Sequence, residues 1–273
     1  MGKVITITSG KGGVGKTTSS ANIATGLAKL GHKVVVVDFD VGLRNLDTIM
    51  GCERRVIYDM VNYLREDKTL KQILVQDKKI RTLFILPTSQ TEDKDIFKEF
   101  PERTKMMIDE LREEFDYVIL DSPAGIESGA MEAMKYCDEA IVACNPEISS
   151  VRDSDKMIGL IQSKHFSVES GLKGGDEPVP VHILITRFTN DQDCLTVEDI
   201  QEILSNGDED PIGIIPNDSA ILESSNRGVP VVIEETSISG KAYMDTARRI
   251  AGEDVPLVIH KVKKNLWQKL INR

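Results

Sequence analysis

The sequence predicts an α/β protein: a doubly wound, mainly parallel sheet flanked by helices, with a C-terminal amphipathic tail helix. Three observations predict it. Short apolar runs rich in β-branched residues recur along the chain, amphipathic segments lie between them, and the first run leads straight into a glycine loop that opens a helix. The runs are near-continuously apolar rather than alternating, which signals strands buried on both faces.

Taken in order, the predicted strands are 3–8 (KVITIT), 33–38 (KVVVVD), 83–87 (LFILP), 117–121 (YVILD), 139–144 (EAIVAC), 181–186 (VHILIT), 212–216 (IGIIP) and 229–234 (VPVVIE). Between the first two, Ile23, Leu27 and Leu30 share one helical face over 17–30, and Gly31 stops that helix. Residues 167–180, rich in Gly, Pro and charge, and 205–210 read as exposed loops. Neither is long enough to separate domains. The expectation is therefore one domain, 1–254, followed by a tail, 255–273.

Bulk properties exclude several classes. A formal charge of −10 argues against non-specific DNA binding, which needs a basic surface. The exception is the tail, where Lys261, Lys263, Lys264, Lys269 and Arg273 occur with no acidic residue. No apolar run of the length that spans a bilayer occurs and no leader pattern opens the chain, so a cytoplasmic location is expected. The four cysteines form no C-x-x-C pair and read as reduced packing residues. Gly2 and Thr6 fit a myristoylation pattern, but Val4, Ile5 and Ile7 read as a buried first strand, which disfavours it.

The glycine loop, GKGGVGKT, carries the chemistry. Gly10, Gly15, Lys16 and Thr17 satisfy G-x-x-x-x-G-K-[ST] in the required strand–loop–helix context. Gly10, Gly12, Gly13 and Gly15 let successive backbone N–H groups turn toward phosphate oxygens, and the helix N-terminus adds its dipole. Lys16 is placed for the β- and γ-phosphates and Thr17 for Mg²⁺. The same letters also satisfy G-x-G-x-x-G, with Asp38 where a ribose-binding acid would stand. The Lys-Thr pair after Gly15 decides for a nucleoside triphosphate, because a lysine buried there needs a phosphate partner.

The loop K-G-G-V-G-K-T-T, with its extra Lys11, resembles the deviant Walker A ATPases of the ParA/MinD family. The resemblance continues through 38–59 (DFDVGLRNLDTIMGCERRVIYD), 85–95, 118–130 (VILDSPAGIESGA) and 145–156 (NPEISSVRDSDK), nearly the whole chain, and is closest to the septum-site-determining MinD branch. It implies a P-loop NTPase fold and Mg²⁺-dependent ATP hydrolysis. Nucleotide contacts would come from Gly10, Lys11, Gly12, Gly13, Val14, Gly15, Lys16, Thr17 and Thr18. Lys11 would cross a two-fold homodimer interface and act on the partner's nucleotide as an arginine finger does.

The resemblance assigns the carboxylates as well. Asp121 would hold Mg²⁺ through water, with Gly125 freeing a switch loop, and Asp40 would orient the attacking water. Asp38 would support the Mg²⁺ shell, though a strand-ending Asp is as often a turn former. Loops carrying Thr186 and Arg187, and Pro216, Asn217 and Asp218, would receive the adenine. Implied partners are a MinC-like inhibitor and a MinE-like activator. The helix after Pro146, with Ser149, Arg152 and Asp153, would be their docking surface.

The tail sequence VKKNLWQKLIN, set on a helix, places Val262, Leu266, Leu270, Trp267 and Ile271 along one stripe with lysines around it. Lys263 interrupts the stripe unless its stem snorkels. Such a face fits an anionic membrane surface, and MinD-like proteins carry a tail of this kind. A helix docked on the protein's own surface or a partner-binding helix would share the pattern. One tail binds marginally, whereas two on a dimer bind cooperatively. The protein would then be reversibly peripheral on the inner face of the cell membrane. The rival reading is a ParA-like DNA-segregation ATPase, which has no use for a lipid-seeking tail.

Overall fold

The computed structural model describes residues 1–93, 95–125, 128–163, 179–189, 191, 193–204 and 210–260. An eight-stranded sheet runs in the order β3-β4-β2-β5-β1-β6-β7-β8. Its strands are β1 Lys3–Thr8, β2 Val34–Asp38, β3 Val75–Gln76, β4 Leu83–Leu86, β5 Tyr117–Asp121, β6 Glu139–Cys144, β7 Val181–Phe188 and β8 Gly213–Pro216. All pairings are parallel except that of β3 with β4. The expected doubly wound, mainly parallel sheet is thus the fold.

Burial on both faces explains the apolar runs. Val34 and Val36 pack with Ile5, Ile7 and Ile119 on one side of the sheet, under α1 (Lys16–Lys29). Val35 and Val37 pack with Val4, Val118 and Leu120 on the other, under α6 (Pro101–Glu114) and α8 (Ile148–Gln162). Each such valine, fully removed from water, contributes roughly 1.5–3 kcal/mol before the entropy of ordering is subtracted. The remaining helices are α2 Leu46–Ile49, α3 Met60–Leu64, α4 Leu70–Ile73, α5 Ile96–Glu99, α7 Ser128–Lys135, α9 Val197–Ile203, α10 Ser219–Asn226 and α11 Ile238–Ile250.

One expectation needs correction, and one element went unread. The run at 229–234 is not a strand: Val231–Ile233 forms a 3-10 turn. Pro230 lacks an amide for a ladder, and Val232 N–H instead donates to Asn22 Oδ1 at 2.8 Å, docking the turn on α1. The edge strand β3 went unpredicted, since two residues carry no periodicity.

At the N-terminus Gly2 is buried and its N–H donates to the Arg112 carbonyl at 2.7 Å, as a first strand requires. Residues 255–260 of the expected tail have no regular structure, and their first part is tied to the body. Arg249 donates to the carbonyls of Val255 (2.8 Å) and Pro256 (2.6 Å), and Leu257 packs against the core. The proposed membrane residues Val262, Leu266, Trp267, Leu270 and Ile271 lie outside the described residues.

Candidate nucleotide site

The central strand β1 has β5 on one side and β6 on the other, so the chain's crossovers diverge there. Ligands of open α/β sheets bind at the carboxyl ends of strands at such a divergence. The glycine loop is what β1 delivers to that place. Gly13 and Gly15 have φ of 77° and 95°, the left-handed region, and an added Cβ at either would point into open space. Gly15 caps α1 with no side-chain cap and no acidic residue in the first turn, which leaves its leading amides and dipole for an anion. Gly10 is needed for a different reason: a Cβ there would lie 2.2 Å from the Asp153 carbonyl of α8.

The loop is braced from beneath. Val14 is buried, and its carbonyl accepts from Thr186 Oγ1 at 2.6 Å, with Asn145 Oδ1 2.8 Å from the same hydroxyl. The Thr186 side chain therefore supports the loop from below. Ser9 Oγ donates to the Lys11 carbonyl at 2.7 Å, and Gly125 N–H to the Ser9 carbonyl at 2.9 Å. That bond links the glycine loop to the segment after Asp121.

The acidic residues converge here. Asp38 and Asp121 end adjacent parallel strands in direct register, and both are buried. Ser20, one turn beyond Lys16 on α1, donates to Asp121 Oδ1 at 2.8 Å, while Asp121 Oδ2 has no hydrogen-bond partner. Burial pushes the Asp121 carboxyl up to about 6, against the hydroxyls of Ser20 and Thr17 and the Lys16 charge, which pull it down. Burial, then the charge of Asp121, raises Asp38 well above the carboxylate range. Lys16 is buried and its pKa lowered by desolvation, which Asp121 and Asp40 oppose. A lysine and two acids kept out of water, with an orphaned carboxylate oxygen beside Thr17, suit a triphosphate and a hydrated divalent cation. The residues present fit both.

Asp38 also organises its own loop: Oδ1 accepts from Asp40 N–H at 2.9 Å and Oδ2 from Leu46 N–H at 3.5 Å. These two bonds are the turn-forming role of the residue. Lys11 reaches away from this cluster, to Glu147 Oε2 at 3.0 Å and Ser149 Oγ at 3.2 Å. Thr18 sits half-buried in the first turn of α1, and Gly12 is exposed.

The residues assigned to the base are more scattered in role. Arg187 is exposed at φ 51°, where the pairing of β7 with β8 shifts register. Pro216 is buried at the end of β8. Asp218 caps α10 through Ala220 N–H at 3.1 Å, and its Oδ2 accepts from Ser239 Oγ at 2.9 Å, so that carboxylate braces the loop. Ser20 and Asn145 escaped the sequence reading. For Ser20 the spacing of four from Lys16 on one helical face was the available signal.

A family model described as an AAA domain matches residues 2–173. The septum site-determining protein MinD of Escherichia coli K12 is 49% identical over 276 residues, covering 99% of each chain. That of Neisseria meningitidis is 47% identical over 99% of both. The chain belongs to the MinD family. Its members' solved structures superpose closely: a MinC:MinD complex from Aquifex aeolicus has a TM-score of 0.81 at 38% identity, covering 95% of this chain and 100% of that one. MinD of Pyrococcus horikoshii complexed with Mg-ADP has a TM-score of 0.77 at 28% identity, covering 92% and 96%. A ParA-family ATPase from Chlorobium tepidum, at 22% identity and a TM-score of 0.72, shares the fold. As a member of the MinD family this protein is a division-site ATPase. No helix among the described residues is long and apolar enough to cross a membrane.

Proposed function

We propose that the chain hydrolyses ATP with Mg²⁺ in the glycine loop, dimerises on ATP, and holds a division inhibitor at the membrane through its C-terminal tail. The observation that carries this reading is the buried convergence of Lys16, Asp38 and Asp121 beneath that loop. Lys16 and the leading amides of α1 bind the phosphates, while Thr17 and Asp121 hold the hydrated cation, with Asp38 behind. The cation, when bound, supplies charge that offsets the developing negative charge of phosphoryl transfer. Asp40 orients the attacking water, and Thr18, Arg187, Pro216 and Asp218 line the nucleoside side.

Lys11 acts in the partner subunit. Its present contacts, Glu147 and Ser149, are exposed and weakly held, so exchanging them for a partner's phosphate costs little. The MinC:MinD complex of Aquifex aeolicus supports a MinC-like inhibitor as a partner. The inhibitor docks, in this reading, on the helix carrying Ser149, Arg152 and Asp153. A MinE-like activator of hydrolysis completes the cycle.

Co-sedimentation with anionic vesicles tests the reading, using ATP, ADP or no nucleotide. Wild type is compared with Lys11→Ala and with a chain ending at His260. Pelleting that needs ATP and is lost in both variants is the expected result. Nucleotide-independent pelleting would sink the coupling, and DNA binding in place of vesicle binding would favour a segregation ATPase.

A further inference from the structure

The loop between Asp40 and α2 holds a contact that the nucleotide site does not use. Arg44 has φ 44°, a left-handed conformation that costs a bulky residue about 1–2 kcal/mol. Its Nε lies 2.6 Å from Asp47 Oδ2, with side-chain exposures of 16% for Arg44 and 2% for Asp47. The other oxygen, Asp47 Oδ1, is buried with no hydrogen-bond partner. A strained residue gripping a half-satisfied buried acid is poor design for stability, since ion pairs of this kind rarely contribute net free energy. What such a pair supplies is geometry. Strain of this sort persists where the surroundings over-determine it, and it clusters at functional positions.

The geometry it sets is that of Asp40. Arg44 N–H donates to the Asp40 carbonyl at 3.3 Å and Leu43 N–H to the same oxygen at 3.2 Å. The chain turns at Asp40, Arg44 closes the turn, and Asp47 clamps Arg44 from α2, which packs on α1. On the other side, Asp38 holds Asp40 N–H. We infer that Arg44 and Asp47 are positioning residues for the hydrolytic step: the pair locks the turn that aims the Asp40 carboxylate, acting on turnover and leaving nucleotide binding alone. This rests on the reading of Asp40 as the residue that orients the attacking water.

Steady-state ATP hydrolysis tests it with Asp47→Asn, Arg44→Asn and Asp40→Asn, singly and in pairs with Asp40→Asn. Arg44→Asn is the safeguard for folding, because Asn tolerates the left-handed region and vacates the pair without a Cβ-branched clash. Each of the first two variants lowers kcat roughly tenfold, in line with the cost of sub-ångström misplacement of a reacting group. KM for ATP and the ATP-dependent dimer fraction stay within about twofold of wild type, since the phosphate contacts are untouched. On the Asp40→Asn background neither adds a further loss, the mark of residues acting through one group.

Unchanged kcat in both variants, with Asp40→Asn crippled, overturns the inference alone. So does a loss that multiplies fully with that of Asp40→Asn, or a rise in KM matching the fall in kcat. Full turnover by Asp40→Asn instead overturns the water-orienting reading, and the inference falls with it.

Discussion

Asp38 and Asp121 stand opposite each other in register at the carboxyl ends of neighbouring parallel strands, both buried, and burial followed by the charge of Asp121 raises the Asp38 carboxyl. In the nucleotide-free protein this is a standing cost. It becomes an asset when a cation arrives, because carboxylates that have already lost their water give up less on coordination.

That cost sets a pH dependence. The Asp121 carboxyl is raised to about 6 in the fold, from an ordinary value of 3.8. Between those two values the folded state holds the proton more tightly than the unfolded chain does, so nucleotide-free stability falls as pH rises through that window. Asp121→Asn removes the penalty. At pH 7.5 it raises the stability of the nucleotide-free protein by about 1–3 kcal/mol, and below about pH 4 the gain disappears. Urea titrations at the two pH values check this; a destabilised Asp121→Asn at pH 7.5 would contradict it. The same variant loses the stabilisation that Mg²⁺ adds to bound ATP.

Lys11 and Glu147 pair across a solvent-exposed gap of 3.0 Å. Exposed pairs contribute about 0–1 kcal/mol, so Lys11→Ala leaves the melting temperature within about 4 °C of wild type. Its effect falls on association. In sedimentation velocity with saturating ATP, Lys11→Ala remains monomeric while wild type dimerises. A dimer of normal strength would remove the trans role.

Gly10→Ala is a packing experiment. The new methyl meets the Asp153 carbonyl, and backbone cannot yield as a flexible side chain does. Overpacking of this kind costs about 1–3 kcal/mol and pushes the loop off α8. Urea unfolding reads the stability, and fluorescent-nucleotide titration reads the weakened ATP binding expected with it. An unperturbed protein would mean that α8 can move freely against the loop.

Truncation separates the body from the tail. A chain ending at residue 254 leaves Arg249 without its carbonyl partners in Val255 and Pro256. Loss of two charge-assisted hydrogen bonds at a half-buried guanidinium costs about 1–3 kcal/mol. A chain ending at His260 keeps both bonds and unfolds at the wild-type urea midpoint. Equal midpoints for the two truncations would show that the 255–257 contacts carry no stability.

Some of this was legible from residue order alone, because local chemistry and periodicity decide it. Unbroken β-branched runs such as Val34–Val37, bounded by turn residues, signal strands covered on both faces. A glycine loop ahead of Lys16 and Thr17 points to phosphate, since the first turn of α1 has no side-chain cap and no acidic residue. The two-residue strand β3 and the 3-10 turn at Val231–Ile233 were not legible: one has no period to read, and the other depends on a distant Asn22. Strand order, too, belongs to the tertiary structure. Adjacency of β2 and β5 is what puts Asp38 beside Asp121, residues 83 positions apart, and adds the charge of Asp121 to the burial that raises Asp38. Pairing of β7 with β6 likewise brings Thr186 beneath Val14, where its hydroxyl braces the glycine loop. Sequence spacing sets which groups a chain owns, whereas desolvation and mutual charge depend on separation in space, and only the folded sheet sets that.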